Sequence, residues 1–90
     1  MFYIDKAISS YALIKQKSRD KSNQQYANVL QSLNEELYSI IGNKSSLFRD
    51  DIDLSSESVI ARDLFSSIAT VDECFDLIEQ AAERLYYPSQ

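Results

Sequence analysis

The sequence has no histidine and no tryptophan, and only one cysteine, one glycine and one proline in 90 residues. Each shortage removes a class of protein. Without imidazole there is no Ser-His-Asp triad, no Cys-His pair and no zinc site built on histidine. A single cysteine cannot close an intramolecular disulfide, so a disulfide-stapled secreted scaffold is out. One glycine leaves no phosphate-cradling loop, and so few Gly and Pro exclude collagen-like and Pro/Gly-rich disordered chains. No apolar run approaches the roughly 20 residues that span a bilayer. The start, Met1-Phe2-Tyr3-Ile4-Asp5-Lys6, lacks the basic segment that precedes the apolar run of a secretory signal. These absences lead to the expectation of a soluble, cytoplasmic chain with no membrane partner.

What is present is the composition of a foldable domain, 44% hydrophobic and 26% charged. The length suits one domain over residues 1–90. The net charge of −5 is unevenly placed. Residues 1–45 carry six bases and four acids, a net of +2, whereas residues 46–90 carry three bases and ten acids, a net of −7. Such polarity suits a charged partner for one half, or simply a well-solvated helix face.

The apolar spacing is helical throughout. Ile4, Ala7, Ile8, Tyr11 and Ile14 recur at steps of three and four, then Lys15 to Gln25 holds no apolar residue. The pattern resumes with Tyr26, Val29, Leu30, Leu33, Leu37, Ile40 and Ile41 and stops at Gly42. Glycine there can take positive φ and close a helix. The spacing predicts helices over about 4–17 and 24–41, joined through Ser18–Asn23. Ile4 and Ile40 share one angular phase, so a single helix over 4–41 is the alternative.

Residues 43–55 form an irregular, Ser- and Asp-rich segment, with a short turn expected near Ser46–Asp51 and Leu47 and Phe48 turned inward. Ser55 is the expected N-cap of the next helix, with Leu54 and Val59 as a hydrophobic staple. Ala61, Leu64, Ile68, Val71, Phe75, Ile78, Ala82 and Leu85 then repeat at 3-4 spacing without a slip. Thr70-Val71-Asp72-Glu73 matches a capping box, which would start a new helix. The unbroken seam favours one helix over about 56–87, kinked near Thr70 and ended by Pro88. The fold class expected is therefore all-α: a small antiparallel bundle of three to four helices with a long C-terminal helix, completed by homodimerisation if the seam is otherwise uncovered.

Few constellations carry chemistry. Asp72, Asp76, Glu79 and Glu83 form a carboxylate ridge beside the seam, suited to docking a basic surface. Helix-bundle metal sites add inward Glu-x-x-His pairs, which a chain without histidine cannot supply. Asp51, Asp53, Ser55 and Glu57 alternate like the first ligands of a calcium loop, but Ser56 stands where glycine is needed and Arg62 where glutamate is. No metal or cofactor is expected. Lys15, Lys17, Arg19 and Lys21 cluster as phosphate contacts would, yet no reading helix accompanies them and nucleic acid is not the favoured partner. Cys74 has acids for neighbours and reads as a buried hydrophobe rather than a nucleophile.

The tyrosines are more suggestive. Tyr86 and Tyr87, before Pro88, put amphipathic rings of the kind enriched at binding hot spots near the chain's end. Tyr86-Tyr87-Pro88, with Ser89 after it, resembles the Tyr-Tyr-Pro of nuclease-colicin immunity proteins, acidic four-helix domains of about this length that carry it in a short third helix gripping the toxin. The likeness covers four residues and lies at the other end of the chain. It implies that an acidic bundle presenting Tyr-Tyr-Pro can serve as an inhibitor surface. The expected function is a non-enzymatic protein-binding module of inhibitor, immunity or chaperone type. Its partner would have a basic or apolar surface, contacted through Asp72, Asp76, Glu79, Glu83, Tyr86 and Tyr87. A structural homodimer is the alternative, and an enzyme or nucleic-acid binder is less favoured.

Overall fold

The computed structural model of the protein describes residues 2–20, 22, 24–42, 46–49, 51–55, 57–68 and 72–86. Among the described residues four α-helices come in order: α1 (Phe2–Ser18), α2 (Gln24–Ile41), α3 (Val59–Ile68) and α4 (Asp72–Tyr86), with a short 3-10 helix at Ser46–Phe48 between α2 and α3. The fold is an all-α bundle with α1 at its centre, packed on each of the other three α-helices. Helix α2 also packs on α4, while α3 rests on α1 and the 3-10 helix. Neighbouring chain directions can be read from the contacts. Tyr11 meets Asn34, and Ser18 faces Ala27, so α1 and α2 are antiparallel. Lys6 pairs with Glu79, and Ser10 faces Phe75, so α1 and α4 are antiparallel too. Among the described residues, no helix is long and apolar enough to cross a membrane.

The polar stretch from Lys15 to Gln25 divides α1 from α2, and the two-helix reading of residues 4–41 holds. Where α1 ends, the Arg19 and Asp20 amides donate back to Gln16 and Lys17 carbonyls. Ser22 then donates its amide and its hydroxyl to Asp20 Oδ1, at 3.0 and 2.6 Å. This is the local side-chain turn that Asp favours over helix. At the other end of α2, Gly42 has φ +67°, the left-handed geometry that closes a helix at little cost without a Cβ.

The helix expected over 56–87 is instead two helices, α3 and α4. A straight helix of that length would run about 48 Å at 1.5 Å per residue. The whole molecule is only 34 Å in its longest dimension. The two pieces also have different partners, α3 on α1 and the 3-10 helix, α4 on α1 and α2. The Thr70–Glu73 capping-box signature marks the division in sequence, although residues 69–71 lie outside those described. Two further expectations change with it. The N-cap of α3 is Ser58 rather than Ser55: its Oγ accepts from the Ala61 amide at 3.2 Å, and its carbonyl takes the first helical bond from Arg62. Ser55 belongs to an Asp53 turn one step earlier. Val59 is 72% exposed, whereas Leu54 packs against the core, so no staple between them sets the helix start. Ser58→Ala is expected to cost about 1 kcal/mol by urea denaturation, and Ser55→Ala clearly less.

The core collects Ala7, Ile8, Tyr11 and Ile14 from α1, Val29, Leu33 and Leu37 from α2, and Leu47 from the 3-10 helix. From α3 and α4 come Ala61, Phe65 and Ile68, then Cys74, Ile78, Ala81 and Ala82. Leu64 and Phe75, both assigned to the seam by spacing, are only half-buried, and Phe65 and Cys74 take the deep positions beside them. Ala61, Ile68, Ile78 and Ala82 keep their seam places, so each helix turns its buried line by only a fraction of a residue to suit its own partners. Phe65 sits edge-on to Tyr11, with ring centroids 6.1 Å apart and planes at 67°. The Tyr11 hydroxyl, inside the core, donates to Asn34 Oδ1.

Candidate functional site

The carboxylate ridge lies on α4, where Glu79 adjoins Phe75 and Ile78 of the seam. At 100° per residue, Asp76, Glu79 and Glu83 fall about 150° around the helix from the buried line of Cys74, Ile78, Ala81 and Ala82. All three are exposed. Glu79 Oε1 receives Lys6 Nζ at 3.0 Å, in a pair with both side chains more than half exposed. Such a pair contributes at most about 1 kcal/mol, so Lys6 trims the field of the ridge without covering it. Asp72 opens α4 and Tyr86 closes it, but their side chains lie outside the description, as does all of Tyr87. Glu83 has a second setting: with Leu77, Gln80 and Arg84 it lines a shallow concavity that Glu36 of α2 completes.

The loop acids are occupied locally. Arg49 donates to Asp51 from Nε at 3.0 Å and from its terminal nitrogen at 2.6 Å, and these bonds hold the Asp51 carboxyl below the ordinary carboxylate range. Asp53 Oδ1 accepts the Ser55 amide at 3.3 Å. Asp20 is lowered in the same way by its Ser22 hydrogen bonds. These are turn-building roles. Among the described residues, no three His, Cys, Asp or Glu side chains gather as metal ligands would. Burial, with Glu73 alongside, pushes the Cys74 thiol above its usual value, which disfavours the reactive thiolate.

The basic cluster breaks up, because Lys15 is a core residue at 6% exposure. Its ammonium donates to the Arg49 carbonyl at 2.6 Å and to the Leu47 carbonyl at 3.4 Å, and stands 5.8 Å from the Tyr11 ring centroid. A buried ammonium needs such acceptors. Lys17 lies 5.5 Å from the Tyr26 ring centroid at the start of α2. A phosphate-contacting stripe through Lys15 is therefore not formed.

What the sequence did not reveal is a groove. Ala27, Leu30 and Tyr38 of α2 and the Phe48 ring make its apolar surface, with the polar Asn34 in the same α2 stripe and Ser18, Gln31 and Glu35 on its margin. Its volume is about 780 Å³, and it is open to solvent along its length. Tyr38 is 51% exposed and leans on Phe48 with ring centroids 6.1 Å apart. Phe48, expected to turn inward with Leu47, is half-buried, so that it packs against the core and also walls the groove. Lys15 supplies the brace, since the carbonyls it holds flank Phe48 on both sides.

Comparison with protein-family models, with curated sequences and with solved structures finds no match. The site therefore has to be read from its own chemistry. The four apolar groove residues are not contiguous in sequence, and Phe48 comes from a different segment altogether. The available signal was Tyr38, an aromatic residue one position off the Leu33–Leu37–Ile41 line of α2.

Proposed function

We propose that this chain is a non-enzymatic protein-binding module, gripping a partner through the α2–Phe48 groove and attracting it with the acidic face of α4. The observation that carries this reading is the groove itself. An exposed aromatic beside a braced aromatic wall, rimmed by amides and a carboxylate, is the composition of an interface hot spot rather than of idle surface. The exposed ridge Asp76, Glu79 and Glu83 adds a one-signed field suited to a partner with basic surface, and Asp72, Tyr86 and Tyr87 are assigned to the same contact from sequence. Inhibitor, immunity and chaperone roles all operate by such masking of a partner's surface. The second reading, a structural homodimer, rests on the exposed Val59 and Ile60 of α3.

The test is capture of the partner from the organism that makes this protein, then affinity measurement at two salt concentrations. The double charge reversal Asp76→Lys with Glu79→Lys is expected to slow association about tenfold and flatten its salt dependence. Unchanged affinity and an unchanged salt slope would remove the ridge from the interface.

A further inference from the structure

From the shape and charge of the groove we infer its occupant: an amphipathic α-helix of about three turns from another protein, bearing basic residues at the end that meets Glu35. The inference rests on the protein-binding reading above and names the chemistry of the partner.

The groove runs along one helical stripe. Ala27, Leu30, Asn34 and Tyr38 are spaced 3-4-4 on α2, so its floor runs parallel to the helix axis for about 16 Å. That is the length of three helical turns. A second helix laid alongside presents apolar side chains at i, i+4 and i+7 with the same repeat, the geometry of helix-in-groove recognition. A β-strand peptide finds no equivalent, because strand addition draws on the free backbone groups of a sheet edge, and the floor here is a helix whose backbone bonds are internal.

Charge gives the occupant its sign and direction. Helix α2 holds two carboxylates, Glu35 and Glu36, and no base. Glu35 sits on the groove margin within one turn of Tyr38, and Glu36 joins Glu83 of the ridge in the next concavity. At the opposite end, near Ala27, stands Lys17 beside Tyr26. Of the described residues that line the groove only Glu35 is charged, so the groove is negative toward Tyr38, and Lys17 stands outside its Ala27 end. A helix docks best with its basic residues and positive N-terminal dipole at the Glu35 end. A second copy of this chain fits worse: its exposed apolar pair, Val59 and Ile60, is flanked by Glu57 and Asp63, which would meet Glu35 with like charge.

The experiment titrates the isotope-labelled full chain with a synthetic Leu/Lys peptide of about four turns whose leucines take i, i+3, i+4, i+7 spacing. A peptide of identical composition with scrambled order is the control. The expected result is micromolar binding, with amide shifts concentrated at Ala27, Leu30, Asn34 and Tyr38, and at least tenfold weaker binding to Tyr38→Ala. Glu35→Lys should weaken it by a similar factor, and the scrambled peptide should bind at least tenfold more weakly. Equal binding of both peptides, shifts centred on α4, or peptide-free self-association abolished by Tyr38→Ala would each overturn the inference. Should the patterned peptide fail while Tyr38→Ala still releases the captured natural partner, the binding function stands and the helical occupant falls.

Discussion

Phe65→Ala should cost about 3–5 kcal/mol, among the largest losses expected from a single truncation in the core. The ring is wholly buried and meets Tyr11 edge-on, so its removal loses both transfer energy and an aromatic pair. Its position makes the loss unusually damaging. Helix α3 has only ten residues, below the length at which an isolated helix persists in water. It is held by Ala61, Phe65 and Ile68 against α1 and the 3-10 helix, and Phe65 is much the bulkiest of the three. For a domain of this size the cost corresponds to a fall in Tm of about 15–25 °C. Urea denaturation measures it, and hydrogen exchange should show α3 amides losing protection first. Because the variant approaches the whole stability of a small domain, Phe65→Leu is the companion, with an expected cost below about 1.5 kcal/mol. A Phe65→Ala cost under about 1 kcal/mol would mean that α3 is not anchored this way.

Lys15→Met should destabilise by about 1–3 kcal/mol, despite replacing a buried charge with an apolar side chain of similar length. Two effects oppose each other. Methionine removes the cost of desolvating an ammonium, which can make such replacements neutral. It also strips a charged donor from the Leu47 and Arg49 carbonyls, and Leu47 is fully buried. The second effect wins because the short Lys15–Arg49 bond, at 2.6 Å, ties the short 3-10 helix and the residue after it to α1. The consequence reaches the groove. With 47–49 untethered, Phe48 loses its brace and its contact with Tyr38. The variant should therefore be cut faster by protease between residues 43 and 55 and bind the patterned peptide more weakly, while α1, α2 and α4 keep their exchange protection. Unchanged stability together with unchanged peptide affinity would show that Lys15 braces nothing.

Local pattern was enough where local pattern decides. The apolar gap from Lys15 to Gln25 and the lone glycine at position 42 delimit α1 and α2 in the sequence and in the structure alike. The C-terminal half was harder, because the 3-4 spacing from Ala61 to Leu85 continues across the division between α3 and α4. Only the size of the molecule, shorter than the helix that spacing describes, decides for the capping-box signature. Tertiary contacts account for the remaining differences. Nothing near Lys15 in sequence announces that carbonyls 32 and 34 residues away will accept its ammonium. The same holds for the groove, whose Phe48 wall and Tyr38 come from two elements, the 3-10 helix and α2. The ridge was legible as a spacing and, through Glu79, as a neighbour of the seam.

The central claim, that partners are gripped at the α2–Phe48 groove, is tested most directly by affinity for the captured natural partner in two α2 variants. Tyr38→Ala removes a half-exposed groove ring, and Ser32→Ala alters an exposed position on another side of the same helix. A hot-spot aromatic is worth about 2 kcal/mol or more, so Tyr38→Ala should weaken binding roughly 30-fold, chiefly through faster dissociation, with Ser32→Ala unchanged. Equal affinity for both variants and the parent chain would contradict the account.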